Sequence, residues 1–172
     1  AQITKSDYYG AIMVDRGDAE GMVTGLRLNY PDTVRPILEI FGLQPGVKVA
    51  VGMYMMVLQN SVKFFGDTVF NIFPDAEVLA DIAVQMADAV QGFGVTPRVA
   101  MISYSNFGSV RHPDVTRIHR TLDMIRERRP DLEIDGEMQP EMALDIKKLQ
   151  KAYGFSKLTH TANTLVFPSL AS

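Results

Sequence analysis

The spacing of apolar residues along the chain predicts helices that alternate with short strands. Segments in which apolar residues recur at helical spacing predict five helices, at residues 6–16, 31–42, 75–93, 113–128 and 140–153. Short apolar runs bounded by Gly, Pro or polar residues predict six strands, at residues 21–25, 47–58, 62–70, 99–104, 132–134 and 164–167. This alternation indicates an α/β layered fold with a mostly parallel sheet and one hairpin-like excursion.

Composition and charge narrow the class of protein. The chain has 172 residues, of which 47% are apolar, so one domain with a sizeable core is expected. Its 17 basic and 20 acidic side chains give a net charge of −3, which argues against broad binding to nucleic acid or to an anionic membrane. The absence of Cys excludes disulfides and a thiol nucleophile and fits a reducing compartment, so we expect a cytoplasmic protein. The longest apolar stretch, 49–58, is shorter than the roughly 20 residues that span a bilayer.

A polar loop after the predicted strand at 99–104 is the strongest candidate for a binding site. Ligands of open α/β sheets gather at the carboxyl ends of strands, and the N-terminus of a following helix offers N–H groups to anions. The residues that offer donors or close backbone approach are Ser103, Ser105, Asn106, Gly108 and Ser109. The alternative is a capped loop that binds nothing, and the segment is neither a dinucleotide-binding nor a Walker motif.

A second candidate segment leads from the predicted strand at 21–25 into the next helix. Its polar residues are Thr24, Asn29, Thr33 and Arg35. We expect Asp32 or Thr33 to cap the helix. Arg35 carries a guanidinium that can bind phosphate or carboxylate with two nitrogens, and the alternative is a solvated side chain on the helix surface.

The segment Asp135-Gly136-Glu137 is predicted to form an acidic turn after a strand. Two carboxylates at such a place suit acid/base or metal chemistry. The residue types favour a simpler interpretation. Asp and Gly form turns, and Glu137 then lies in the first turns of the next helix, where the helix dipole stabilises a negative charge.

The three histidines, His112, His119 and His160, lack the spacing of metal ligands. His112 and Asp114 lie close to Ser109 and have the residue types of a catalytic triad, but neighbours at a helix start seldom reach the geometry a triad needs. We therefore expect neither a triad nor a zinc site, and we expect His112 at the start of a helix.

Five segments resemble, in the same order, motifs of the phosphate acetyl/butyryltransferase family. The family motifs and the residues that resemble them are G-x-A-D-G-x-V-S-G at 17–25, D-T-I-R-P-A-L at 32–38, S-T-K-G-S at 105–109, I-D-G-E-L-Q at 134–139 and V-F-P-D-L at 166–170. The resemblance implies a layered α/β lobe of isocitrate dehydrogenase-like architecture, similar to the second lobe of phosphotransacetylases. It also places both candidate segments in a cleft that holds the phosphate groups of CoA.

One of these segments departs from the family motif. Asn106 and Phe107 replace Thr and Lys, so a basic residue is lost from the loop. This version, together with I-D-G-E-M-Q, resembles the phosphotransacetylase-like C-terminal domain of bacterial NADP-dependent malic enzymes. The resemblance implies a module that assembles a homo-oligomer and binds acetyl-CoA as an allosteric inhibitor. NADP and Mg²⁺ or Mn²⁺ are then expected in the part of the parent that converts malate to pyruvate and CO₂.

We expect the chain, 1–172, to be a single α/β lobe cut from a two-lobed domain, because it starts at Ala1 and stops just after a predicted strand. The family's catalytic S-R-G-C-S-x-x-D segment follows V-F-P-D-L and is not in the sequence. The resemblance therefore assigns no catalytic residue and no cofactor to this piece. Two alternatives stay open: a piece of a true phosphate acetyltransferase, which converts acetyl-CoA and phosphate to CoA and acetyl phosphate, and a pure oligomerisation module that pairs through 49–58.

Overall fold

The computed structural model describes residues 5–67 and 70–170, so two positions of the predicted strand at 62–70 lie outside the described part. It divides the chain into two compact units, one that ends at Val47 and one that begins at Lys48. Within the described residues, no helix combines the length and the apolar character needed to cross a membrane.

The first unit contains two helices, α1 (Ser6–Asp15) and α2 (Tyr30–Phe41), as predicted. The expected cap at Asp32 or Thr33 is wrong: the Asn29 side chain caps α2 by accepting a hydrogen bond from the Asp32 N–H at 3.0 Å. The predicted strand at 21–25 is also wrong, because the run meets no partner strand. Met22 instead packs beside Gly10 of α1, and Val23 is fully exposed.

The second unit is built on a five-stranded sheet in the order β1-β2-β5-β3-β4. The strands are β1 (Met53–Leu58), β2 (Ser61–Gly66), β3 (Arg98–Ile102), β4 (Glu133–Met138) and β5 (Thr164–Val166). The first two strands form an antiparallel hairpin, and β2, β5, β3 and β4 run parallel to one another. The predicted α/β fold with a mostly parallel sheet and one hairpin is therefore confirmed.

Helices cover both faces of this sheet. The long helices α3 (Ala76–Gly92) and α4 (Pro113–Arg128) contribute to one buried cluster, and the short helices α5 (Pro140–Ala143) and α6 (Ile146–Ala152) contribute to another. Successive residues of β3 belong to different clusters: Met101 packs with the long helices and Ile102 with the short ones. This is the alternation expected of a strand buried on both faces.

Two predicted elements of the second unit differ from the structure. The predicted turn Asp135–Glu137 lies inside β4, and Glu137 is on the strand rather than in a helix. Both carboxylates are buried and accept hydrogen bonds from other elements, so the strand tolerates them. The predicted helix at 140–153 is interrupted, because the Asp145 side chain accepts from two backbone N–H groups and starts α6 anew.

Candidate functional site

The carboxylate of Glu137, near the carboxyl end of β4, lies at the centre of the 103–110 loop. Its side chain has no exposed surface. Oε1 accepts hydrogen bonds from the Ser105 hydroxyl and the Gly108 N–H, both at 2.7 Å, and Oε2 contacts Nε2 of His119 on α4. One buried carboxylate therefore joins two points of the loop to the helix that follows it.

Two hydroxyls link the ends of this loop. Ser105 Oγ donates to Glu137, accepts from the Val110 N–H at 3.2 Å and lies 3.2 Å from Ser109 Oγ. The Ser109 hydroxyl accepts from the Asn106 N–H at 3.0 Å. Since the Ser105 hydrogen points at the carboxylate, Ser109 donates to Ser105. The bonds of the loop are thus directed toward Glu137, and in such a chain each bond polarises the next.

The loop is also tied to the residues around Glu137 in the chain. Asn106 Oδ1 accepts from the Gln139 N–H at 2.7 Å, and Gln139 Nε2 donates to the Tyr104 carbonyl at 2.8 Å. The Phe107 N–H donates to the Glu137 carbonyl at 2.9 Å. Ser105 is fully buried and Asn106 half-buried, whereas Ser109 is exposed at the surface.

Phe107 packs against an aromatic cluster instead of extending into solvent. Its ring centroid lies 4.9 Å from that of Tyr153 and 5.1 Å from that of Phe155. The backbone has a positive φ at Phe107 (47°) and at Gly108 (81°), which turns the chain back over the end of β4. Gly adopts this conformation without steric cost, and its N–H then points at the Glu137 carboxylate.

The surroundings of Glu137 favour its ionised form. Burial by itself opposes ionisation, but the hydrogen bonds from the Gly108 N–H, the Ser105 hydroxyl and His119 outweigh burial and hold the pKa of Glu137 below its usual value. Glu137 is therefore a carboxylate at neutral pH. An anionic ligand at this point of the loop would meet that charge, and two of the loop donors are already engaged.

A cavity of about 530 Å³ opens where β3 and β5 end. Ser103 lines it, together with Arg117 of α4 and mostly apolar side chains. The Arg117 guanidinium donates to the Pro168 carbonyl at 3.0 Å, lies 3.5 Å from the Asp114 carboxylate and stacks 4.4 Å from the Phe73 ring centroid. The crevice at the carboxyl ends of parallel strands is the usual place for a ligand in such sheets.

Three of the four candidate residues in the first unit bind neighbours within that unit. The Thr24 hydroxyl donates to the Asp7 carboxylate, and the Asn29 side chain caps α2. The Thr33 hydroxyl donates to the Asn29 carbonyl at 3.0 Å. These contacts hold the turn that leads into α2.

Arg35 is the candidate of the first unit that faces a cavity. Its guanidinium lies 3.7 Å from the Asp32 carboxylate, and both side chains are largely exposed. With Lys5, these two residues line a cavity of about 440 Å³ near the starts of α1 and α2. Two cations at the ends of helices that present N–H groups form a setting that favours an anion.

The histidines have separate partners. His112 caps α4 by accepting from the Asp114 N–H at 3.2 Å, so its expected place at a helix start is confirmed. His119 contacts Glu137, and His160 lies 2.9 Å from the Thr159 hydroxyl. Within residues 5–67 and 70–170, no group of three or more His, Cys, Asp or Glu is arranged to hold a metal ion.

Sequence reasoning missed the roles of Glu137, His119 and Arg117. Glu137 was assigned to a turn or a helix start, and His119 and Arg117 were read as ordinary helix positions. A signal was present for Glu137, since the apolar residues on both sides of 135–137 have the pattern of a strand that continues. No local pattern indicates that Ser105 is its partner, because 32 residues separate the two.

The chain is similar over nearly its whole length to two kinds of protein. The family model described as Phosphate acetyl/butaryl transferase matches residues 1–172, so the family expected from the five motifs is confirmed. The NADP-dependent malic enzyme of Escherichia coli is 39% identical over 170 residues, which are 99% of this chain and 22% of that protein. The phosphate acetyltransferase of Staphylococcus epidermidis is 39% identical over 169 residues, which are 95% of this chain and 51% of that protein.

A solved structure shares the fold. The EutD phosphotransacetylase from Staphylococcus aureus matches with a TM-score of 0.83 and 35% identity, over 96% of this chain and 51% of that one. The chain thus spans about half the length of the transferases it matches and about a fifth of the malic enzyme.

Proposed function

Because the chain belongs to the phosphate acetyl/butaryl transferase family, we propose that it is the phosphotransacetylase-like domain of a cytoplasmic NADP-dependent malic enzyme. In this proposal the domain binds acetyl-CoA as an allosteric inhibitor and does not transfer acetyl groups. The parent protein oxidises and decarboxylates malate to pyruvate, with NADP and Mg²⁺ or Mn²⁺ bound by its other regions.

The observation that carries this proposal is the placement of Phe107. At the position where the transferase motif has Lys, this chain has an aromatic ring that packs on Tyr153 and Phe155. The loop therefore lacks the cation that would attract a phosphate co-substrate. The carboxylate of Glu137 adds a negative charge behind the same loop. Both features disfavour free phosphate, which the transferase reaction requires.

A CoA effector needs cations for its phosphates, and Arg35 and Lys5 supply them at the 440 Å³ cavity of the first unit. In the proposal, Ser109 and Asn106 contribute donors from the 103–109 loop of the second unit, with Ser103 at the floor of the larger cavity. Allosteric inhibition then means that acetyl-CoA binds one state of the parent better than another, since only a difference in affinity shifts an equilibrium.

Substitution of Arg35 and of Ser109 in the full-length parent tests the site. We expect Arg35→Ala to raise the acetyl-CoA concentration for half-inhibition of malate oxidation about 10-fold or more, because a charge-assisted hydrogen bond is lost. Ser109→Ala removes a neutral donor and should raise it about 3- to 10-fold. Arg16→Ala is the control, since Arg16 is exposed and pairs only with Asp18. Unchanged inhibition in both site variants would refute the site.

The second candidate function is that of a true phosphate acetyltransferase. The equal identity to the transferase of Staphylococcus epidermidis favours it. The same full-length protein separates the two: formation of acetyl phosphate from acetyl-CoA and phosphate supports the transferase, and malate oxidation that acetyl-CoA inhibits supports the regulator.

A further role in self-association is favoured by the edge strand β1. Its residues from Tyr54 to Leu58 are apolar and exposed on both faces of the strand. We propose that this strand pairs with a second copy of the chain and contributes to a homo-oligomer.

A further inference from the structure

The donors of the 103–110 loop are arranged around Glu137 as donors are arranged around a bound anion. The Ser105 hydroxyl and the Gly108 N–H converge on one oxygen at 2.7 Å, and His119 reaches the other. Loops that join a strand to a helix commonly present such donors to a phosphate ligand. Here the position is filled by a carboxylate of the protein itself, delivered by the neighbouring strand β4.

We propose that Glu137 is a built-in anion that positions the 103–110 loop and thereby holds Ser109 and Asn106 ready for acyl-CoA. The link to acyl-CoA rests on the proposed function, whereas the ordering of the loop does not. Glu137 is a positioning residue, because it has no exposed surface with which to touch a ligand. Its carboxylate also closes this cradle to free phosphate.

The number and type of donors explain why a carboxylate is used. The side chain meets an O–H, an N–H and a ring nitrogen, and a carboxylate accepts from all three. A Gln side chain has one acceptor oxygen and an NH₂ group, so it satisfies one side of the arrangement and presents a donor to the other. An apolar side chain satisfies neither and leaves Ser105 buried without its acceptor.

Hydrogen exchange of the loop amides in the full-length protein, with added acetate, tests the proposal. Glu137→Ala retains Cβ and removes a group of the size and charge of acetate. We expect exchange at Gly108 and Val110 to accelerate about tenfold or more in this variant, the factor for a lost charge-assisted hydrogen bond. Acetate should then restore most of the protection. Glu137→Gln leaves no space for acetate, so its loop should also exchange faster but should not respond to acetate.

Glu141→Ala is the matched surface control, since Glu141 is exposed and pairs with Lys148. Its loop should exchange like that of the unaltered protein, with or without acetate. Unchanged exchange in Glu137→Ala, or an equal effect of acetate on Glu137→Gln, would overturn the proposal. If Glu137→Ala does not fold, the isosteric Glu137→Gln decides alone: normal protection of its loop overturns the proposal, and loss confined to 103–110 supports it.

A titration with acetyl-CoA separates this proposal from the proposed function. Weaker binding by Glu137→Ala that acetate restores supports both. Loss of loop protection with unchanged acetyl-CoA affinity supports the ordering of the loop and refutes its link to acyl-CoA. Absence of acetyl-CoA binding by the unaltered protein refutes the proposed function and leaves the exchange result valid.

Discussion

The buried carboxylate of Glu137 makes the stability of the protein depend on pH in a defined direction. Its pKa in the folded protein lies below the usual value, because the hydrogen bonds to the carboxylate outweigh the effect of burial. The unfolded chain therefore binds a proton at a higher pH than the folded protein does. The stabilisation is complete above the ordinary pKa of Glu, about 4.3, and it is lost as the pH falls through the folded-state pKa.

We predict that Glu137→Gln lowers the free energy of unfolding by about 1–3 kcal/mol near neutral pH. The difference from the unaltered protein should shrink below about pH 4, because there the carboxyl is neutral in both states of the unaltered protein. Urea unfolding across this range measures it. Glu141→Gln should stay within about 0.5 kcal/mol of the unaltered protein throughout. A difference for Glu137→Gln that does not vary with pH would contradict the prediction.

The polar residues of the 103–109 loop could be identified from the sequence, but their partner could not. Ser105 and Gly108 follow a buried strand, and this position alone marks them as candidates. That their donors converge on Glu137 depends on β4 lying beside β3, which is a tertiary fact. Local residue types favoured a turn at 135–137 for a sound reason, since Asp and Gly are common in turns.

At the scale of elements, the sequence predicted long helices well and polar strand ends poorly. The helices α3 and α4 have apolar stripes and caps at Asp75 and His112, and both were predicted to within a residue or two. The strand β4 extends through two carboxylates that an isolated strand would not bury. Hydrogen bonds from Arg126 and Ser156 to Asp135 make that burial tolerable, and they come from distant segments.

A single capping residue explains why the predicted helix at 140–153 is two helices. Asp145 accepts hydrogen bonds from the N–H groups of Lys147 and Lys148, both at 3.1 Å. We predict that Asp145→Ala destabilises the protein by about 1 kcal/mol, since two N–H groups lose their acceptor. Amide exchange in α6 should accelerate, while exchange in α4 should not change. Lys151→Ala, near the other end of α6, is the control, and an equal effect of both substitutions would contradict the role of the cap.

At the scale of the whole second unit, the sequence indicated a parallel sheet but not the order of its strands. The short strand β5 lies between β2 and β3, with Thr164 paired to both Phe64 and Val99. Every residue of β5 is buried, which is typical of a central strand covered on both faces. This order places the ends of β3 and β5 side by side and so creates the 530 Å³ cavity. Pairings between segments so far apart in the chain leave no local pattern.

The same order leaves β1 at one edge of the sheet, and this edge lacks the usual protection. Protein edge strands commonly carry charges or prolines that prevent pairing with another chain. The strand β1 reads Met-Tyr-Met-Met-Val-Leu, with no charge and no proline, and its Val57 is 74% exposed. Antiparallel pairing with a second copy would satisfy the edge backbone groups and cover these side chains. The alternation of faces means that both sides of the strand would gain contacts.

We predict that Val57→Lys in the full-length protein weakens self-association at least about tenfold, because the new ammonium group must lose water when the edges meet. Sedimentation velocity over a range of protein concentrations measures the shift toward smaller species. Val23→Lys is a closely matched control, since Val23 is equally apolar and fully exposed but lies outside any strand. An unaltered protein that stays monomeric at every concentration, or equal effects of the two substitutions, would exclude β1 as the interface. Loss of association only in Val57→Lys would assign the interface to this strand.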